Sequence, residues 1–124
     1  TVTGAKNNGV SAGCQGAAMH LKNVCVEKCG SNGVSVSSTT RNTMTDCNVN
    51  NNKSSGVLVG GGGRMVIDGS ETTIHHNVTG GESDYYGLQT WSSSSSIHLK
   101  SLTKESISTN NGGGGNYDGD IKTI

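Results

Sequence analysis

The chain contains no proline and no phenylalanine, and its 124 residues include a single tryptophan, Trp91. With so few aromatics, and 30% hydrophobic residues in all, it cannot fill a wide globular core. Charge is scarce too: charged side chains make up 15% of the chain, nine basic against nine acidic. The high-charge route to disorder is therefore closed. With no Lys/Arg cluster, neither nucleic acid nor an anionic membrane finds an electrostatic grip; a polar, neutral partner such as a glycan is compatible with this surface. No apolar run is long enough to span a bilayer, so membrane insertion is not expected. No charged segment leading into an apolar one opens the chain, and the first residue is Thr1 rather than Met, so a processed or partial chain is expected.

What fills the sequence instead is Gly, Ser, Thr and Asn, about half of all residues, a composition suited to many turns between thin β-rich layers. Those turns repeat. Asn8-Gly9-Val10, Asn32-Gly33-Val34, Ser55-Gly56-Val57 and Tyr86-Gly87-Leu88 share one phrase, with successive glycines 24, 23 and 31 residues apart. The last interval is longer by about one loop, which predicts an insertion around residues 78–86.

Upstream letters agree independently. Val24 and Val26 stand nine and seven residues before Gly33, and Cys47 and Val49 stand nine and seven before Gly56. Four before the same glycines lie Cys29 and Asn52. Thr72 to Asn77 and Glu105 to Asn110 repeat the step from an apolar residue to a turn residue, which aligns Ile74 with Ile107 and Asn77 with Asn110. Met19-x-Leu21, Met65-x-Ile67 and Ile97-x-Leu99 read as strands with one face in and one out. A helical repeat does not fit, because no stretch sustains helical apolar spacing beyond one turn. A β-sandwich does not require the same phrase every 23 or 24 residues, whereas a stacked coil does.

Gly33-Val34-Ser35-Val36 through Asn52-Lys53-Ser54-Ser55-Gly56-Val57-Leu58-Val59 resembles the coil repeat of right-handed parallel β-helices of the pectate-lyase-like superfamily, over most of the chain. The resemblance implies an all-β solenoid of about five coils, one domain over residues 1–124, with equivalent strands stacked in parallel about 4.8 Å apart. Glycine-rich loops at 60–63 and 112–115 are expected to be flexible. Such a stack has open sheet edges at both ends. No amphipathic capping helix is evident and Asp120 to Ile124 reads as a strand. A homo-oligomer, a filament or the rest of a longer chain is therefore the expected partner.

Candidate sites follow from the same register. Asn52-Lys53-Ser54 and Asn77-Val78-Thr79 are N-glycosylation sequons at turn positions, where exposed asparagines could take glycans; Asn-rich turns also create such triplets by chance. Cys14, Cys25, Cys29 and Cys47 are an even number compatible with two disulfides in an oxidising compartment, or else with buried free thiols. Cys47 shares the register of Val24 and should point inward while Cys25 points outward, so a Cys25–Cys47 bridge is unnatural. Cys25 with Cys29, or Cys14 with Cys29 or Cys47, are the alternatives. Their spacing does not suit structural zinc.

Gly112 to Asp120 brushes against the calcium-binding nonapeptide of β-rolls, but as a single copy with Asp120 in an apolar place, so no metal or other cofactor is expected and a flexible loop is preferred. His75 and His76, with Asp68, Glu71, Glu82 and Asp84, form the densest ionisable group. Neighbours on a strand face opposite sides, so the two histidines should not share a metal, and a solvated turn is preferred to an acid–base site. The enzyme patterns the resemblance brings to mind are missing: there is no Asp-Asp pair, no Gly-His-Gly, no Arg-x-Lys, and only Tyr86-Gly87 of the epimerase motif Tyr-Gly-x-Asp-Pro-His. No catalytic residue is assigned. Tyr85, Tyr86 and Trp91, clustered around the long interval, are candidates for ligand or subunit contact. The expected function is a non-catalytic, extracellular structural or adhesive β-helix, self-associating and carrying glycans; the alternative is a polysaccharide-binding or polysaccharide-active one.

Overall fold

A computed structural model describes residues 1–124, and the chain winds through five coils of three short strands each. The first coil comprises β1 (Val2–Thr3), β2 (Val10–Ala12) and β3 (His20–Lys22), and the second β4 (Cys25–Glu27), β5 (Val34–Ser37) and β6 (Asn42–Thr45). The third holds β7 (Asn48–Asn50), β8 (Val57–Gly60) and β9 (Arg64–Asp68), and the fourth β10 (Thr73–His75), β11 (Tyr86–Thr90) and β12 (Ser96–Leu99). A single helical turn, α1 (Lys104–Ile107), leads into the fifth, β13 (Ser108–Thr109), β14 (Gly115–Asp118) and β15 (Ile121–Thr123). Equivalent strands form three parallel five-stranded sheets: sheet A from β1 to β13, sheet B from β2 to β14 and sheet C from β3 to β15.

The register follows the repeated phrase. Val10, Val34, Val57 and Leu88 lie one above another in sheet B, each after its glycine. Leu21, Met44, Ile67 and Leu99 do so in sheet C, and Val26, Val49 and Ile74 in sheet A. All of these inward side chains except Val10 and Leu21 belong to one continuous core of 19 buried residues, and those two, in the first coil, are partly buried against it. Because each coil encloses only a narrow interior, β-branched residues, Leu and Met fill it without phenylalanine.

In one place the register differs from expectation. Ile74 pairs with Ser108 rather than Ile107, so the equivalent of Asn77 is Asn111 rather than Asn110. The cause is α1: Thr103 caps it by accepting a hydrogen bond from Ser106 N, and the helical turn carries Ile107 into the core just before the strand begins.

Corners are made by left-handed residues. After sheet A come Gly4, Lys28, Asn51, His76 and Asn110, and after sheet C come Asn23, Asp46, Gly69 and Ser101, all with positive φ. Asn, Asp and Gly tolerate this conformation best, and they hold six of these nine corners.

Beside the first of these corners the buried asparagines stack. Cys29 N donates to Asn52 Oδ1 (3.0 Å), Asn52 N to Asn77 Oδ1 (3.3 Å), and Asn77 N to Asn111 Oδ1 (2.9 Å). Their amide nitrogens donate to the carbonyls of Val26, Val49 and Ile74 in turn. The expectation that Asn52 and Asn77 project from exposed turns is therefore corrected: they are 0% and 1% exposed, turned inward because the bend leaves backbone N–H groups that need buried acceptors.

The glycine runs also differ from flexible loops. Gly60–Gly63 is a closed turn in which Gly63 N donates to Gly60 O (3.0 Å). Gly112–Gly114 is a packing seam: a Cβ on Gly112 would come 2.8 Å from Val78 O, and Gly114 N donates to Tyr85 O (2.9 Å). The insertion lies along it, and Gly115 already begins β14.

Candidate ligand-binding edge

Each coil turns from sheet B to sheet C at the same edge, through residues 13–19, 38–41, 61–63, 91–95 and 119–120. The first two turns enclose an open cleft of about 440 Å³ whose wall includes Gln15, Ala17, Ser38, Thr40 and Arg41. The third is the glycine turn. It is tied to the fourth by Gly62 N donating to Ser95 Oγ (3.0 Å), while Ser92 and Ser95 hydroxyls bond each other at 2.6 Å. Hydroxyls therefore line this edge at the second and fourth turns, with the glycine turn between them.

In the fourth turn stands Trp91. Its backbone N–H is fixed to Val59 O (3.0 Å), and its ring is 57% exposed. Tyr85, from the insertion, stacks beside it with ring centroids 5.9 Å apart and planes at 27°. The insertion is held by the outward side chain of β11, since Gln89 Nε2 donates to Asp84 O (2.8 Å) and Gln89 Oε1 accepts from Tyr86 N (3.3 Å) and Ser55 Oγ (2.7 Å). The structure thus brings Tyr85 and Trp91 together but not Tyr86, whose ring lies over Gly114, where a Cβ would approach its Cζ to 2.5 Å.

The remaining candidates separate. All four cysteines are free in this structure, the free-thiol alternative that the sequence left open beside disulfides. Cys14 is on an exposed turn, Cys25 faces outward, and the buried Cys29 and Cys47 donate to carbonyls of Glu27 and Thr45 in their own coils. Burial, and then the carboxylate of Glu27, raises the Cys25 pKa and keeps its thiol protonated. No group of three or more His, Cys, Asp or Glu side chains converges. Asp46 and Asp68 carboxylates accept turn N–H groups of Glu71 and Gly69.

His75 and His76 do meet, contrary to the alternation expected of a strand. The strand ends at His75, and the left-handed His76 (φ +54°) swings its ring back, so the two Nδ1 atoms are 2.7 Å apart. The cleft residues Gln15, Ser38 and Arg41 had no signal in the sequence, because they lie in turns of unequal length without repeated letters.

Three parallel sheets stacked coil on coil define a parallel β-helix. The chain belongs to the right-handed β-helix family: the model for the right-handed β-helix region matches residues 1–103, which take in the first four coils. Comparison with curated proteins and with solved structures finds no match.

Proposed function

We propose that the chain is a non-catalytic, adhesive β-helix that holds a carbohydrate chain along its sheet B to sheet C edge. The observation that carries this reading is the exposed Trp91 stacked on Tyr85, in line with a polar cleft containing Arg41. Aromatic faces bind the apolar faces of sugar rings, and a guanidinium binds a carboxylate in two-pronged fashion. Arg41 is in the second coil and Trp91 follows the fourth-coil strand, about 10 Å apart along the axis at a strand spacing of about 4.8 Å. An acidic glycan lying along the stack reaches both. The cleft wall carries no Asp, Glu, His or Cys, which favours holding over cleaving. Such a ligand belongs outside the cell or at its surface, and that is the location proposed.

The test is binding to polygalacturonate, alginate and a neutral glucan, with product analysis for chain cleavage. Micromolar to millimolar binding is expected, weakened at least about tenfold by Trp91→Ala and by Arg41→Ala, with no shortened products. Binding to none of these glycans, or binding indifferent to both substitutions, overturns the reading.

A second reading rests on the terminal coils. The strands of the first and fifth coils are sheet edges, and an unpaired edge accepts further strands, from another copy in a filament or from a longer chain. Concentration-dependent growth in light scattering is the result expected of the filament.

A further inference from the structure

The outer face of sheet A carries a polar network remote from the proposed glycan edge. His75 Nε2 lies 3.1 Å from Asn48 Oδ1, and Asn50 Nδ2 donates to the same oxygen at 3.0 Å. Asn48 therefore presents its acceptor, and His75 must donate from Nε2. A neutral imidazole has one N–H, so the lone pair of His75 is on Nδ1, the atom that faces His76 Nδ1 at 2.7 Å. In the metal-free chain a proton on His76 Nδ1 occupies the gap.

The backbone holds this arrangement. His76 takes the left-handed bend shared by Asn51 and Asn110 in the neighbouring coils, all at φ +54°, and His76 N is hydrogen bonded to Asn110 O (3.2 Å). His75 sits opposite Asn50 in the sheet. A histidine that ligates a metal characteristically donates its other N–H to an oxygen, which fixes tautomer and ring direction. Asn48 supplies that oxygen here.

We infer that His75 and His76 form a two-histidine chelate for a divalent transition ion of the kind imidazole favours, namely copper, nickel or zinc. No third His, Cys, Asp or Glu joins the pair, and His76 is exposed, so water completes the shell. Two metal–nitrogen bonds of about 2.0–2.1 Å set the nitrogens about 2.9 Å apart at a right angle, as in square-planar or octahedral nickel and copper, and about 3.3 Å apart around tetrahedral zinc, against 2.7 Å without the ion. The ion takes the place of the shared proton, which leaves His76 Nδ1, while Nε2 of the same ring takes one from solvent. Both rings stay neutral and no net proton is released.

The experiment is calorimetric titration of the full chain with NiCl₂ and with ZnCl₂ near neutral pH, in a Cys14→Ser background that removes the exposed thiol. One equivalent bound with micromolar affinity is expected. His75→Asn and His76→Asn install residues that the neighbouring coils already carry at these positions, Asn50, Asn51 and Asn110, so the coil is kept. Each is expected to weaken uptake at least about tenfold, and Asn48→Ala to weaken it about tenfold through the lost tautomer lock. A His20→Gln/His98→Gln double variant, altered only on sheet C, is expected to bind as the parent does. No uptake by a chain with an intact circular dichroism spectrum overturns the inference. So does uptake that survives both sheet A substitutions, or uptake lost in the sheet C variant.

Discussion

Asn52 Nδ2 donates to Asn77 Oδ1 across 2.9 Å, linking two coils through side chains that hold the same place in each. Both amides are buried, and each oxygen also accepts the backbone N–H of the preceding coil. A polar row inside a solenoid is tolerable only when every member is satisfied, because low local polarity strengthens made bonds and penalises missing ones alike.

Asn52→Ala leaves Cys29 N without its acceptor and Val26 O without this donor, in a site that water does not reach. The expected loss is about 2–4 kcal/mol, read as a lower urea midpoint at unchanged slope. Asn111→Ala, in the partly exposed last rung, should cost less.

The sequons yield a second expectation. With both asparagines committed to the ladder, a glycan on Asn52 or Asn77 has no room in the folded coil. Chain secreted from a eukaryotic host and recovered folded should carry neither glycan, and peptide mass spectrometry checks it. A folded, stable fraction bearing sugar on Asn52 contradicts the ladder.

Two glycines separate packing from mere turn chemistry. A Cβ on Gly33 would sit 2.6 Å from Asn52 Nδ2 and 2.7 Å from Val49 Cγ1, whereas one on Gly13 meets nothing within 4 Å. Gly33→Ala is expected to destabilise by about 1–3 kcal/mol through overpacking. Gly13→Ala, with no positive φ to strain it, should stay within about 0.5 kcal/mol of the parent. Thermal or urea unfolding of the pair checks both.

The stack was legible in the sequence because a narrow interior demands the same inward letter in every layer: Val10, Val34, Val57 and Leu88 each follow a glycine, and the structure pairs them. The gathering of Tyr85, Tyr86 and Trp91 around the insertion was read for the same reason, as a departure from the period, but only Tyr85 and Trp91 stack while Tyr86 lies over Gly114. Direction was not. Asn52 shares its place with Cys29, which is buried as well, but Asn is so common at exposed turns that its inward orientation needs the left-handed bend at Asn51 to explain it. The same kind of bend at His76 hid the histidine pair, and the helical turn before Ser108 moved the last rung by one residue. Each of these is a backbone event that side-chain periodicity does not record.

The pH dependence of stability should bear the mark of two outward groups on sheet A. His75 has its pKa lowered from 6.5 by burial and then by His76, so as pH falls through 6.5 the unfolded chain takes up a proton before the folded one does. Stability therefore declines on that limb and stops declining below the folded-state pKa. Cys25 has its pKa raised from 9.0 by burial and then by Glu27, so above pH 9.0 the unfolded chain releases its proton first and stability declines again. The most stable window lies between these limbs. Other carboxylates contribute to the acid side, so the decisive quantity is the difference between parent and variant. His75→Asn should flatten the parent's slope between about pH 7 and 5, and Cys25→Ser should flatten it above about pH 9, each followed by urea midpoints across the range. Both groups are partly solvated, so each difference should be small; a His75→Asn curve that runs parallel to the parent's through the acid limb removes His75 as its source.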